Sequence, residues 1–490
     1  MTADSSQKPA RKSESGIIAR FVHLLTAQGV DGVASAVLFL YVLPRIDSTV
    51  YGQVMYAMAA ASIVAKIVQF GLYYPLVAQL GGATKEAAND DLNTVNVIKF
   101  LLTVAAMVGI AGMALYRALP LQMAIILVLV CLGSALEAIA ETYFADFRVR
   151  GRQDQEARVR IVSSVASYGY GIAAASIGLA PIIISLFKII SGVVRLGYGL
   201  AEYVSYYAAS LYKRIEWASV SIMFRAAMVF ALIEILGVVY NKTNVFFLES
   251  AVGVKGVAYY SAAYSIVDPI STLASEQFLG WVIFPLLASL WPKNRDVVSR
   301  LVRRNGQWLF VMALPFMFVL HAESELIIGL IFPPEYHDAV WMQQYLVWTI
   351  LLSFQSNLFC YVMMVAGAAK VLLAFAMVAT ILNIVFNVAL VQSFGLAGGC
   401  LVLILTKLVM TVLTFVYCQL RFRFFGPLDF LFPCVWGAAT YALFLAIKPL
   451  VGTHLAVVGC LVLYLEVSRT IGPRFIGRFP SKIAPVKYPS

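Results

Sequence analysis

The stretch VYGQVMYAMAAASIV at residues 50–64 is echoed by VKGVAYYSAAYSIV at 254–267. Gly52 aligns with Gly256 and Tyr56 with Tyr260, and after a one-residue slip Ser62-Ile63-Val64 aligns with Ser265-Ile266-Val267. Each stretch runs on into a second shared phrase, PLVAQL at 75–80 and PLLASL at 285–290. Two phrases recurring in one order mark an internal repeat.

The medium around the repeat follows from composition. The chain has 490 residues, 61% hydrophobic and 12% charged, with a mean hydropathy of +0.85. A soluble chain carries about a quarter charged residues; half that amount is what a lipid-facing surface requires. A membrane helix needs about 20 mostly apolar residues. Such runs fall at 17–43, 51–79, 95–116, 121–146, 159–179, 181–203, 222–246, 257–289, 306–331, 339–367, 371–392, 396–419, 428–447 and 453–469. The reading is an all-α polytopic membrane protein with about fourteen transmembrane helices. The repeated phrases sit on the second and eighth spans. Six crossings separate them, so the halves share one orientation, as in transporters built from two parallel repeats. This divides the chain into a tail at 1–16, an N-lobe at 17–203, a possibly amphipathic linker at 204–221, a C-lobe at 222–420, two further helices at 421–470 and a basic tail at 471–490.

Lysine and arginine favour one side of these spans by about five to one, which places both termini in the cytoplasm. That asymmetry accounts for the net charge of +11 without nucleic acid. The six cysteines (Cys131, Cys360, Cys400, Cys418, Cys434, Cys460) lie in or beside apolar runs with no metal-type spacing, and the four histidines are scattered. No metal or cofactor is expected. No phosphate-cradling glycine loop is present, and no loop is large enough for a catalytic domain, so the chain reads as a non-enzyme.

Ionisable side chains within spans are costly and point to function. Lys66, Lys188, Arg195 and Lys407 are candidate substrate anion contacts; Asp31, Glu234, Asp268 and Glu276 are candidate coupling or gating carboxylates. Asp31 lies 21 residues before Gly52 and Glu234 lies 22 before Gly256, so the repeat places an acid at nearly equivalent depth in spans one and seven. Glu137 and Glu141 are further intramembrane acids, and Pro269, beside Asp268, is a candidate bend.

Five segments carry a resemblance: YVLPRIDSTVYGQVMYA (41–57), FGLYYPLVAQLG (70–81), NKTNVFFLESAVGVKGVAYYSAAYSI (241–266), IIGLIFPPEYHDA (327–339) and LNIVFNVALVQSFGLAGGCLVL (382–403). In this order they resemble the oligosaccharide (O-antigen, Wzx-type) flippases of the multidrug/oligosaccharidyl-lipid/polysaccharide exporter superfamily. The resemblance implies two six-helix lobes and alternating access. The implied substrate is a polyprenyl-pyrophosphate-linked oligosaccharide moved outward across the bacterial inner membrane for lipopolysaccharide-type surface polysaccharide. H+ or Na+ is the implied coupling ion, and the polysaccharide polymerase machinery a possible partner. Asn241 and Asn244 stand where many relatives place an acid. The alternatives are a multidrug or small-molecule exporter of the same fold and a membrane-embedded polysaccharide polymerase or ligase.

The topology is checked by alkaline phosphatase fusions. Fusions after residues 119 and 452 are expected to be active outside the membrane, and those after 151 and 472 inactive. The reverse pattern overturns the orientation.

Overall fold

The computed structural model describes residues 23, 25–81, 83–207, 216–272, 279–280, 283–291, 294–426 and 428–472. Among them the chain is helical without strands. The helices are α1 (Leu25–Arg45), α2 (Ser48–Gln69), α3 (Tyr73–Leu80), α4 (Lys85–Tyr116), α5 (Leu121–Val149), α6 (Gln153–Ser176), α7 (Pro181–Tyr207), α8 (Trp217–Thr272) and α9 (Phe284–Leu290). They continue as α10 (Arg295–Ala322), α11 (Ser324–Ile331), α12 (Asp338–Leu346), α13 (Trp348–Val365), α14 (Ala369–Phe386), α15 (Gln392–Phe422), α16 (Leu431–Val451) and α17 (Thr453–Thr470).

Among the described residues ten helical stretches are long and apolar enough to cross a bilayer. Two of them, Trp217–Thr272 and Ala369–Phe422, have 56 and 54 residues. At 1.5 Å per residue each is long enough for two crossings of a ~30 Å hydrocarbon layer. Each also breaks at a glycine with positive φ, Gly253 (73°) and Gly395 (53°). With the more polar α6 and α17, the count agrees with the fourteen crossings expected.

Several spans are subdivided. The second breaks after Gln69, where Phe70 is left-handed and caps Lys66 O, and resumes as α3. The tenth divides at Val347 between α12 and α13. Pro269, the candidate bend, lies inside α8, and the departure from helical angles within α8 is at Gly253. A φ near +73° is open only to glycine without strain.

Local structure repeats along with the phrases. Nine residues after Pro75, Thr84 caps α4 by accepting from Ala87 N at 3.3 Å. Nine residues after Pro285, Asn294 caps α10 by accepting from Val297 N at 3.1 Å. Both satisfy orphan first-turn amides where an interfacial turn enters a helix.

The chain forms two compact units, Met1–Lys242 and Thr243–Ser490, so the boundary falls inside α8. The linker placed at 204–221 is in part the end of α7 and the start of α8; its middle, 208–215, lies outside the described residues.

In the first unit α5 and α7 pack tightly because glycines face each other. A Cβ at Gly133 would lie 2.5 Å from the Lys188 carbonyl, and one at Gly192 would lie 2.5 Å from Gly133 O. Small residues of this kind let membrane helices approach closely. Gly71 (φ +57°) seats the turn between α2 and α3 on α8, where a Cβ would lie 2.8 Å from Ala231 N. Phe70 stacks there on Phe224 at 4.3 Å.

Gly133→Leu is expected to part α5 from α7 and lower the melting temperature of detergent-solubilised protein. Overpacking of this kind costs about 1–3 kcal/mol or more. Leucine at Gly178, where open space surrounds the Cβ direction, tests instead the strain of φ +77°.

Candidate functional site

The first unit holds charge deep among its helices. On α5, Glu137, Glu141 and Arg148 are spaced by four and seven residues, which puts them on one helical face. That face meets α6 and α7. Glu137 accepts from Lys188 Nζ at 2.7 Å and Ser191 Oγ at 2.5 Å, with Arg195 at 3.9 Å. Arg195 also donates to Asp31 at 3.1 Å and to Ser163 Oγ at 2.9 Å, and Ser164 donates to Asp31. Asp31, Lys188 and Arg195, drawn from α1 and α7, are therefore brought together through Glu137.

One step along α5, Glu141 pairs with Arg160 and, at 3.4 Å, with Arg148. Glu156 is fully buried and accepts from both arginines: Arg148 at 2.8 and 2.5 Å, Arg160 at 2.9 Å. Charges desolvated this far persist only when paired and hydrogen-bonded.

A cavity of about 200 Å3 opens beside this network. Lys66, Lys99, Glu141, Arg148 and Glu234 supply its charged lining, and the turn Gly71–Tyr74 borders it. Lys66 lies in the last turn of α2 and Arg148 in the last turn of α5, ends that favour cations. Lys66 Nζ reaches Glu234 at 3.3 Å, with the two side chains 36% and 28% exposed. Lys99, on α4, is 4% exposed and donates to the Ala138 carbonyl at 2.6 Å.

The second unit holds its polar interior differently. Lys407 donates to Ser353 Oγ at 2.6 Å, and Asp268 accepts from Tyr264 at 2.8 Å. Asn244, Asn383, Asn387 and Thr406, all fully buried, share a hydrogen-bond network: Asn383 donates to Thr406 at 2.9 Å and Asn387 to Asn244 at 2.9 Å. Asn241, on the part of α8 that belongs to the first unit, donates to Gly237 O at 2.7 Å. Glu276 lies outside the described residues. Among the described residues no group of three or more His, Cys, Asp or Glu side chains is arranged to hold a metal.

The sequence reading did not single out Arg148, Arg160 or Glu156 as site residues and took the two arginines only as inner-side charges; Arg148 lies in the last turn of α5 and Glu156 in the first turn of α6. The signal was present in the spacing: Glu156 and Arg160 are four apart, and Arg148 continues the Glu137–Glu141 face.

The all-helical fold, its apolar surface and its internal charges define a multi-pass membrane protein. The chain belongs to the polysaccharide biosynthesis protein family, which it matches over residues 43–341. No curated protein matches its sequence. Among solved structures it resembles the lipid II flippase MurJ in an inward closed conformation, with a TM-score of 0.71 and 13% identity over 94% of this chain and 100% of that one. It also resembles an inward-facing multidrug resistance MATE family transporter of the MOP superfamily, with a TM-score of 0.64 and 13% identity over 82% and 98%. A MOP superfamily transporter from Pyrococcus furiosus aligns with a TM-score of 0.58 and 14% identity over 83% and 95%. At these identities the likeness establishes the fold.

Glu156→Gln is expected to destabilise the protein by about 3–5 kcal/mol, because it weakens the shared acceptor of two buried guanidinium groups. Lys66→Ala, at a half-exposed pair, is expected to cost about 0–1 kcal/mol. Thermal unfolding in detergent separates the two. Equal losses would show that the buried network is not what holds the first unit together.

Proposed function

We propose that the protein moves a lipid-linked oligosaccharide, carried on polyprenyl pyrophosphate, outward across the bacterial inner membrane by alternating access, for surface polysaccharide synthesis. The observation that carries this reading is the match to the polysaccharide biosynthesis family over residues 43–341 in a chain with the fold of MurJ. The proposed orientation, both termini cytoplasmic, puts the C-terminal ends of α2 and α5, and with them the charged cavity, on the side where such a lipid is made.

Lys66 is the proposed anion contact with the clearest means of response. It is about one-third exposed and held by one carboxylate, Glu234. A diphosphate entering the cavity competes with Glu234 for the ammonium as a point charge. Once released, Glu234 is an acid beside a cavity and needs a proton, a cation or water in place of Lys66, which gives substrate entry a route to ion coupling. Gly253 supplies α8, the helix that carries Glu234, with a point of bending. Lys188, Arg195 and Lys407 remain proposed contacts that would act only by leaving Glu137, Asp31 and Ser353. Asp31 and Asp268 are proposed coupling acids on the same terms.

The MATE likeness favours a second reading, export of small molecules. Deleting the protein and tracing lipid-linked glycan separates the readings. Complete repeat units held on the inner leaflet support flipping. Units that reach the outer leaflet unpolymerised indicate a polymerase, and unchanged glycan with raised drug sensitivity indicates an exporter. Lys66→Ala is expected to reduce glycan flux at least tenfold while the melting temperature holds. Normal flux removes Lys66 from the site.

A further inference from the structure

Lys99 stands apart from the other intramembrane cations of the first unit. Lys66, Arg148, Arg160, Lys188 and Arg195 each reach a carboxylate. Lys99 is 4% exposed and makes no ion pair among the described residues; its one hydrogen bond goes to the Ala138 carbonyl. An ammonium has three donors, so this leaves two without an acceptor among the described residues on a side chain that lines the cavity. The acid nearest in the sequence of the lining, Glu141, is already taken by Arg160 and Arg148. A buried, incompletely neutralised ammonium is unfavourable by itself and becomes favourable when an anion enters beside it.

The rest of the lining fits that anion. Lys66 and Arg148 add two cations, and Arg148 is oriented by the two-pronged grip of Glu156, which leaves one face of its guanidinium toward the Tyr73 ring at 5.4 Å. The turn Gly71–Tyr74 brings the start of α3, the positive end of its helix dipole, to the cavity wall. The volume of about 200 Å3 has room for a small polyatomic anion with water.

We infer that this cavity is an oxyanion site of the phosphate or diphosphate class, with Lys99 as its inner ligand and Lys66 and Arg148 at its rim. The assignment of the anion to a lipid headgroup rests on the proposed flippase reading; the site itself rests on Lys99. Neither Lys99 nor Arg148 was singled out as an anion contact by sequence.

The test uses the full-length protein in nanodiscs, with inorganic pyrophosphate and a short-chain polyprenyl diphosphate as separate probes, measured by calorimetry. Wild type is expected to bind the lipid-borne diphosphate. Lys99→Met is expected to weaken binding by about tenfold or more, as loss of a charged hydrogen bond does. Lys99→Arg is expected to retain binding within a few-fold. The methionine variant is expected to fold, since it removes a buried charge that has no carboxylate partner, and an unchanged melting temperature checks this. If Lys99→Met fails to fold, Lys99→Gln decides in its place: a folded Lys99→Gln variant is expected to bind about tenfold or more weakly, and binding equal to wild type overturns the site. Equal binding by wild type and a folded Lys99→Met variant also overturns it. Binding of free pyrophosphate without the lipid assigns a soluble phosphate and overturns the headgroup. These outcomes are independent of the glycan-tracing experiment: flipping without a Lys99 effect sinks only the site, and a Lys99 effect without flipping sinks only the flippase reading.

Discussion

A charge in the interior of a membrane protein must be neutralised where it stands, and the first unit is arranged around that requirement. Glu156, with no exposure, holds Arg148 and Arg160, and both arginines reach Glu141. The quartet spans α5 and α6, and Glu137 continues the same face of α5 to Lys188 and Arg195 on α7. These distances are reachable because backbones approach closely. Gly133 and Gly192 leave no room for a Cβ where α5 crosses α7, and the fully buried serines 163 and 164 on α6 fill the layer with short hydroxyls that reach Arg195 and Asp31. Small residues and charged residues thus solve one problem together: tight packing brings the partners into range, and pairing offsets the desolvation that tight packing imposes.

The second unit meets the same demand for buried polarity with neutral groups. Asn244, Asn383, Asn387 and Thr406 hydrogen-bond to one another across α8, α14, the π-helical turn Asn387–Val391 and α15, with Asn387 Oδ1 left over among the described residues. Amides cost less to bury than ions, but they must be matched donor to acceptor, and a partly satisfied network is unfavourable. The helices depart from regularity at this network. The π turn begins at Asn387, and Gly398 packs so closely on the preceding turn that a Cβ would lie 2.1 Å from Leu390 O. Charge pairs, longer in reach and less directional, tolerate regular helices such as α5 and α7.

Much of this was legible in the sequence, for identifiable reasons. Hydropathy locates crossings because lipid-facing surface must be apolar, and it located even α6, whose serines make it one of the more polar helices. The paired phrases ending in PLVAQL and PLLASL mark equivalent turns, and the caps Thr84 and Asn294 fall at equivalent distances after them. Breaks inside spans were less legible. Pro269 drew attention as a helix breaker and lies inside α8, while Gly253 was unremarkable until its φ of 73° was seen. Arg148 and Arg160 were read by their sign, as loop charges on the inner side. Sign reports the side of the membrane and says nothing of pairing; the partners lie in the spacing, Glu156 four residues before Arg160 and Glu141 seven before Arg148.

Pairing also separates two kinds of intramembrane cation that the sequence presents alike. Lys188 and Arg195 are locked by one or more carboxylates and little exposed, so recruiting them for a substrate means breaking buried pairs, at a loss of several kcal/mol for each partner stranded. Lys66 pairs with a single, partly exposed carboxylate, and Lys99 has a carbonyl only. An anion entering the first unit gains most from the cations whose present partners are weakest. Lys66 and Lys99 line one cavity, so the same electrostatic economy that stabilises the helices leaves attraction for a ligand in that place.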